Sequence, residues 1–295
     1  MKLGIPRALL YYRYGKFWEV FFKNLGIETK LSPRTSPEIL EDGVKHISSE
    51  VCLPIKILIG HLRSFEDVDS IFLPRFVFLR DKLFACPKMI GIPDIARFVT
   101  QYPILSPKVK KGLFLSHFLL GIQLTKNPII TLRAYLRARP FLKFPTRPPE
   151  FPMNKKKIGL ISHFYNLKED YLGREIGQFF QARGFLTYTK EDLPYSILAA
   201  PNGFAKNIRW VFERELYNAF RFYLDKVDGF CFIISFGCGP DSLISEMMER
   251  EAKVKEIPFL KLVIDEHTGK AGVITRLEAF TDVIKKTRGL LVVGS

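Results

Sequence analysis

In "GFCFIISFGCGPDS", residues 229–242, an uncharged, largely apolar run passes directly into Gly237-Cys238-Gly239-Pro240-Asp241-Ser242. An uncharged run of this length, bounded by turn residues, reads as a strand buried on both faces. Pro240 suits the first turn of a helix, and Asp241 or Ser242 suits its cap. Strand leading straight into helix is the grammar of a parallel α/β sheet, where ligands gather beyond the carboxyl ends of strands and beside helix N-termini. Cys238 stands at that place, and Gly237 and Gly239 permit close backbone approach to whatever binds there. The setting predicts a thiol of lowered pKa facing outward. Cys231, within the strand and flanked by Phe230 and Phe232, reads instead as a small core hydrophobe.

The same grammar occurs twice. "KLGIP" at 2–6 reads as a strand, "YGKFWEVFFKNLG" as a helix ending at Gly26, and "IETKLS" as the next strand. "KIGLI" at 157–161, "EDYLGREIGQFFQARG" and "FLTYTK" repeat the series, with Phe21, Phe22 and Gly26 matched by Phe179, Phe180 and Gly184 at equal spacing. The first half continues with helical stretches from Ser36 and after Pro54, the strand "SIFLP" and a helix opening near "PDIARF". The second continues with a helix over about 206–225, the strand at 229–235, a helix from Asp241, the strand "FLKLVID" and a last helix over "ITRLEAFTDVIKK". Strands alternating with helices predict an α/β fold of two Rossmann-like parallel-sheet domains, residues 1–102 and 155–295. A length of 295 residues agrees with two domains.

Residues 103–154 form the expected connector, which is basic, Pro-rich and partly helical. From Gln101 to Lys157 there are twelve Lys or Arg and one acid, Glu150, so this stretch carries +11 of the formal +15. "NPIITLRAYLRARPF" reads as one basic amphipathic helix and "KFPTRPPEFPMNKKK" as an extended linker. Such a stretch is either a solvated connector or an anion site for a phosphate-bearing ligand, an acidic protein or nucleic acid. With 47% hydrophobic residues and 27 Phe the composition excludes disorder. The N-terminus fits no secretory signal, and "GLFLSHFLLGIQL" is too short to span a bilayer, so the expectation is a cytoplasmic protein with no membrane partner.

In a reducing compartment four cysteines point to metal binding or redox chemistry rather than disulfides. Cys52 lies just before Pro54 at a helix start, and Cys86 precedes Pro87 in a loop. Three thiols with an iron-sulfur cube, or the same thiols with His61 or His267 and zinc, are both open on spacing. Glu50, Lys56 and His61 follow at helical spacing around Cys52, and His61 lies too far along a straight helix to meet it. Lys56 could balance the charge of a reduced cluster, and Glu50 could transfer a proton. Asp265 and His267 close the last strand, where carboxylate and imidazole can serve general acid-base chemistry.

The strings "LGIPRALLYY", "FWEVFFKNLGIET", "EVCLPIK", "DSIFLPR", "FGCGPDS" and "DEHTGKAGVITRLEAF" occur in order across both halves. In these the chain resembles the stand-alone relatives of the 2-hydroxyacyl-CoA dehydratase and benzoyl-CoA reductase family, proteins related to acyl-CoA dehydratase activases. The resemblance implies a 4Fe-4S cluster between two Rossmann-like domains, with Cys52, Cys86 and Cys238 as metal ligands. Gly237, Gly239, Asp241 and Ser242 would then line the cofactor. It further implies an electron-transfer role: low-potential electrons from a separate ATP-hydrolysing activase-like iron-sulfur protein, passed to a CoA thioester or another small-molecule substrate. The chain has no Walker-type glycine loop, and "TGKAGVIT" lacks the required spacing, so ATP use falls to the partner. The chain departs from full dehydratase subunits in being shorter and in having four cysteines, too few for the double-cubane relatives. A non-catalytic cluster carrier or sensor is a second reading and a basic nucleic-acid binder a third, although no aromatic-interleaved recognition motif accompanies the charge.

Overall fold

The structure, a computed structural model, describes residues 1–80, 83–171 and 173–289. The first part of the chain runs β1 (Lys2–Ile5), α1 (Tyr11–Asn24), β2 (Glu28–Leu31), α2 (Pro37–Lys45), α3 (Leu53–Arg63), β3 (Ser70–Phe72), β4 (Arg75–Arg80), β5 (Leu83–Phe84) and α4 (Pro87–Val99). There follow β6 (Ile104–Leu105), β7 (Lys108–Lys110), α5 (Phe114–Thr125) and α6 (Pro128–Ala138). The last part runs β8 (Lys157–Ile161), α7 (Phe164–Lys168), α8 (Arg174–Ala182), β9 (Leu186–Tyr188), α9 (Tyr195–Leu198), α10 (Val211–Tyr223), β10 (Gly229–Ser235), α11 (Gly239–Val254), β11 (Phe259–Ile264) and α12 (Lys270–Gly289).

Two four-stranded parallel sheets organise these elements, β2-β1-β3-β6 and β9-β8-β10-β11. Each has its first strand between the second and third, so the repeated grammar of the sequence is a repeated topology. The two helix-ending glycines play one role. Gly26 and Gly184 have φ of 75° and 80°, and the next residues, Ile27 and Phe185, donate back to Phe22 O and Phe180 O at 3.0 and 3.1 Å. This is a left-handed C-cap, which a Cβ disfavours and glycine permits.

The stretch between the sheets contributes to both. Its first residues form β6, which completes the first sheet beside β3, and β7, which pairs with β4. β5, β4 and β7 make a small mixed sheet that no periodicity in the sequence announced. α5 and α6 form a tight hairpin: Lys126 turns the chain at φ 55°, and Asn127 Oδ1 caps α6 by accepting from Ile129 N and Ile130 N at 3.0 and 3.1 Å. The hairpin packs on α1, with Tyr135 and His117 edge-on to Phe17. Among the described residues no helix is long and apolar enough to cross a membrane.

One apolar core joins the halves, since Leu3, Phe17 and Phe72 share a buried cluster with Ile158, Phe164 and Phe180. A second lies between α10 and β10, around Leu216, Phe220 and Phe230. α2 and α3 cross with their backbones nearly touching: a Cβ on Gly60 would fall 1.8 Å from Ile39 O, and one on Gly43 2.0 Å from Lys56 O. This crossing sets the position of α3, the helix that follows Cys52. Gly60→Ala should therefore destabilise the chain by about 2 kcal/mol or more, because backbone must move to admit the methyl group. Gly91→Ala, in α4 with nothing within 4 Å of the new Cβ, should be neutral or stabilising by about 0.5–1 kcal/mol. Urea unfolding of the two variants measures the contrast, and equal effects would contradict this account of the crossing.

Candidate functional site

Cys52, Cys86 and Cys238 occupy the same local position in three different helices. Each is the residue immediately before the first helical residue, of α3, α4 and α11, and each helix has proline in its first turn. For Cys86 this corrects the sequence reading, which opened the helix near Pro93. Proline inside a helix usually marks a boundary, but here Pro93 lies within α4 and Pro87 starts it. All three thiols are free and half-buried. Cys231 lies fully buried in β10.

The loops bearing the three cysteines converge. Lys88, two residues after Cys86, donates from Nζ to Glu50 O at 3.2 Å and Gly237 O at 3.1 Å, binding the Cys52 and Cys238 loops together. Gly237, at φ +78°, lies so close that a Cβ would sit 3.3 Å from Cys52 Cα and 3.0 Å from Glu50 O. Ahead of Cys86, Phe84 N donates to Arg209 O at 3.0 Å, anchoring β5 to the residues that lead into α10. The Cys52 thiol senses the charges of Cys86 and of Lys88, and Cys238 senses that of Cys52.

The thiols are not acidified, and for Cys238 this is contrary to the sequence expectation. Burial pushes Cys52 up to about 11 despite Lys88, and Cys86 upward despite the N–H groups of Lys88 and Met89. Cys238 is raised by burial and then by the neighbouring Asp241 carboxylate. At these three positions desolvation of a thiolate outweighs the partial charge of a helix N-terminus.

The remaining residues singled out from the sequence have other places. Glu50 is exposed, and its carbonyl rather than its carboxylate serves the site. Lys56 is 1% exposed, and its Nζ donates to Glu266 Oε1 at 2.5 Å. Asp265 Oδ1 accepts from Thr268 Oγ1 at 2.6 Å and His267 N at 3.0 Å, while Thr268 Oγ1 accepts from Asp265 N at 2.8 Å. That carboxylate closes a turn, and His267 faces solvent. Gly239 is exposed with open space around it. Ser242 is exposed and its Oγ donates to Cys238 O at 2.9 Å, back along the helix. Neither Ser242 nor Asp241 caps α11 through its side chain. His61 is fully buried with both ring nitrogens engaged, by Ser32 Oγ at 2.9 Å and Thr35 Oγ1 at 3.0 Å, and burial lowers it to about 4. It is a core histidine.

Asp241 is fully buried and faces residues the sequence reading passed over. His163, after β8, places Nε2 2.9 Å from Asp241 Oδ1 and 3.8 Å from Glu213 Oε1 of α10. The Tyr165 ring stacks on the imidazole with centroids 4.8 Å apart. One signal for His163 was available: it follows "KIGLIS" at the carboxyl end of a predicted strand, the place where Cys238 stands after "GFCFIIS". Glu213 and Lys88 had none, since each sits on a helix in an unremarkable run.

Lys56 and Glu266 are 210 residues apart and join α3 to the end of β11. Burial raises Glu266, but the Lys56 hydrogen bond and charge outweigh it and hold the carboxyl below its usual range. Removing one partner of a buried pair strands the other charge, at about 3–5 kcal/mol. Lys56→Met and Glu266→Gln should each lose about that much in urea unfolding, and the double variant Lys56→Met/Glu266→Leu should lose clearly less than the sum. Additive losses would mean the two groups do not act as a pair.

Residues 2–193 match the model of the family described as CoA enzyme activase uncharacterised domain (DUF2229). The match contains Cys52, Cys86 and His163 and ends before Cys238. No curated protein matches the chain. Because the match covers well over half of the sequence, the chain belongs to the CoA enzyme activase uncharacterised domain family.

Proposed function

We propose that this protein is the iron-sulfur component of an activase-dependent CoA-enzyme system, holding a 4Fe-4S cluster through Cys52, Cys86 and Cys238. The observation that carries the reading is the convergence of three cysteine-led helix starts, clamped by Lys88 across Glu50 O and Gly237 O. The donor set suits a group held by three sulfurs: the thiols are half-buried, and Gly237 keeps side-chain bulk out of the space against Cys52. A helix N-terminus beside each of the three cysteines favours the negative charge of thiolates and sulfides. When bound, a cluster supplies a low-potential one-electron site. The protein's own part is to exclude water with the core beneath the loops and hold the ligands on helices braced by Lys56 and Glu266.

In the finer form of this reading the chain is akin to the 2-hydroxyacyl-CoA dehydratase and benzoyl-CoA reductase type. It accepts electrons from a separate ATP-hydrolysing activase and passes them to a small molecule such as a CoA thioester. The family description supports an activase-linked role. It also favours one other reading, in which the chain is itself part of the activase; ATP hydrolysis by the isolated chain would decide for that. The α5–α6 hairpin supports a protein partner. Leu115, Leu119, Ile129, Leu132 and Leu136 are exposed there beside the cations Arg133, Arg137 and Arg139, a face that an acidic surface with apolar spots would cover.

Anaerobic purification with iron and sulfide analysis and EPR tests the cluster. Cys52→Ser, Cys86→Ser and Cys238→Ser should each abolish or alter its signal. Cys231→Ser should keep the signal and lose about 1–3 kcal/mol of stability for a poorly satisfied buried hydroxyl. Wild-type protein free of iron and sulfide would refute the reading.

Arg133→Glu/Arg137→Glu/Arg139→Glu should slow association with a purified activase-type ATPase and flatten its salt dependence. Metal content should be unchanged, since long-range charge mainly sets encounter rate. Stopped-flow binding at several ionic strengths reads this, and an unaltered association rate would return the hairpin to a solvated connector.

A further inference from the structure

The strand ends that carry His163 and Cys238 are locked together by a buried polar relay. Ser162 Oγ donates to Ile233 O at 2.6 Å, Asn166 Nδ2 donates to Ser162 Oγ at 3.1 Å, and Ser235 Oγ donates to Asn166 Oδ1 at 3.1 Å. With β8 and β10 thus fixed side by side, one ligand atom each from His163, Cys238 and Asp241 lie within 4.8 Å of one another. His163 is 1% exposed and Asp241 0%. Neither ring nitrogen of His163 and neither oxygen of Asp241 has a hydrogen-bond partner among the described residues, and Glu213 Oε2 has none. Nε2 and Oδ1, 2.9 Å apart, are in ion-pair contact without a well-aligned hydrogen bond.

Buried polar atoms are nearly always paired, and a buried charged group left without a partner is strongly destabilising. Here the carboxylates of Asp241 and Glu213 both face His163 Nε2, and Asp241 Oδ2 and Glu213 Oε2 have no hydrogen-bond partner among the described residues. A cation between Nε2 and these carboxylates would balance their negative charge and give the unpartnered oxygens a partner. One nitrogen, one sulfur and one carboxylate oxygen form the mixed donor set of Zn2+, Fe2+ or Co2+ rather than of Mg2+ or Ca2+, which prefer oxygen alone. Bonds of about 2.0–2.3 Å hold tetrahedral ligand atoms roughly 3.3–3.8 Å apart, so atoms within 4.8 Å of one another, with Nε2 and Oδ1 at 2.9 Å, need small side-chain shifts, apart for that pair and inward for the most distant one. Three protein ligands leave the fourth position open, as in catalytic rather than structural sites.

We infer that His163, Cys238 and Asp241 bind one divalent transition-metal ion, with Glu213 as an outer carboxylate. This site uses neither Cys52 nor Cys86, so it goes beyond the three-cysteine reading, with which it shares only the donor Cys238.

The test is titration of the full-length, metal-free, reduced chain with Co2+ under anaerobic conditions. One equivalent should bind, with sulfur-to-cobalt charge-transfer absorption and the visible bands of four-coordinate Co2+. His163→Gln and Asp241→Asn should weaken binding at least tenfold, whereas Cys52→Ala and Cys86→Ala should leave it within a factor of about two. X-ray absorption on the loaded wild-type protein, which needs no variant to fold, should find one sulfur with nitrogen and oxygen neighbours. No uptake of Co2+, a shell of three sulfurs, or binding lost with Cys52 and Cys86 but kept in His163→Gln would each overturn the inference. The two proposals fail separately: protein that binds Co2+ through His163 yet takes up no iron with sulfide sinks the cluster alone, and a cluster without the Co2+ site sinks this one alone.

Discussion

The buried ion pair between Lys56 and Glu266 is the constraint on which the site depends. Lys56 sits one turn beyond Cys52, and Glu266 follows the strand beside β10, which ends just ahead of Cys238. A pair taken out of water persists only where the surrounding packing holds both partners in place. The shared apolar core and the tight crossing of α2 and α3 supply that packing. In return the pair sets how α3 meets the second sheet, and hence where the Cys52 loop lies relative to the Cys238 loop.

Desolvation governs the chemistry of that place. It raises the thiols of Cys52, Cys86 and Cys238, raises Glu213, and opposes the charged form of His163, which the Asp241 and Glu213 carboxylates nonetheless shift upward. The same physics explains why Lys88 binds two carbonyls at the rim: one ammonium satisfies two loop oxygens and adds positive charge where thiolates would form.

The charge concentrated between the two sheets is built on a folded surface. α5 and α6 bury His117, Leu120, Ala134 and Tyr135 toward α1 and turn leucine, isoleucine and arginine side chains outward. Exposed apolar and cationic side chains thus stand on a folded helical hairpin, in a part of the chain whose sequence reads as a connector.

By itself the sequence determined what is local. Strand runs such as 157–161 and 229–235, the helix-ending Gly26 and Gly184, and the parallel α/β class follow from periodicity and backbone sterics, which act over a few residues. The cysteine-led helix starts at Cys52 and Cys238 were legible for the same reason. The start at Cys86 was not, because Pro93 inside α4 imitates a boundary. Only the tertiary structure decided that Lys56 meets Glu266, that Asp265 closes a turn while Asp241 faces His163 and Glu213, and that the thiols are raised rather than lowered. Burial and Coulomb coupling depend on which distant segments share a volume, and no window along the chain contains that information.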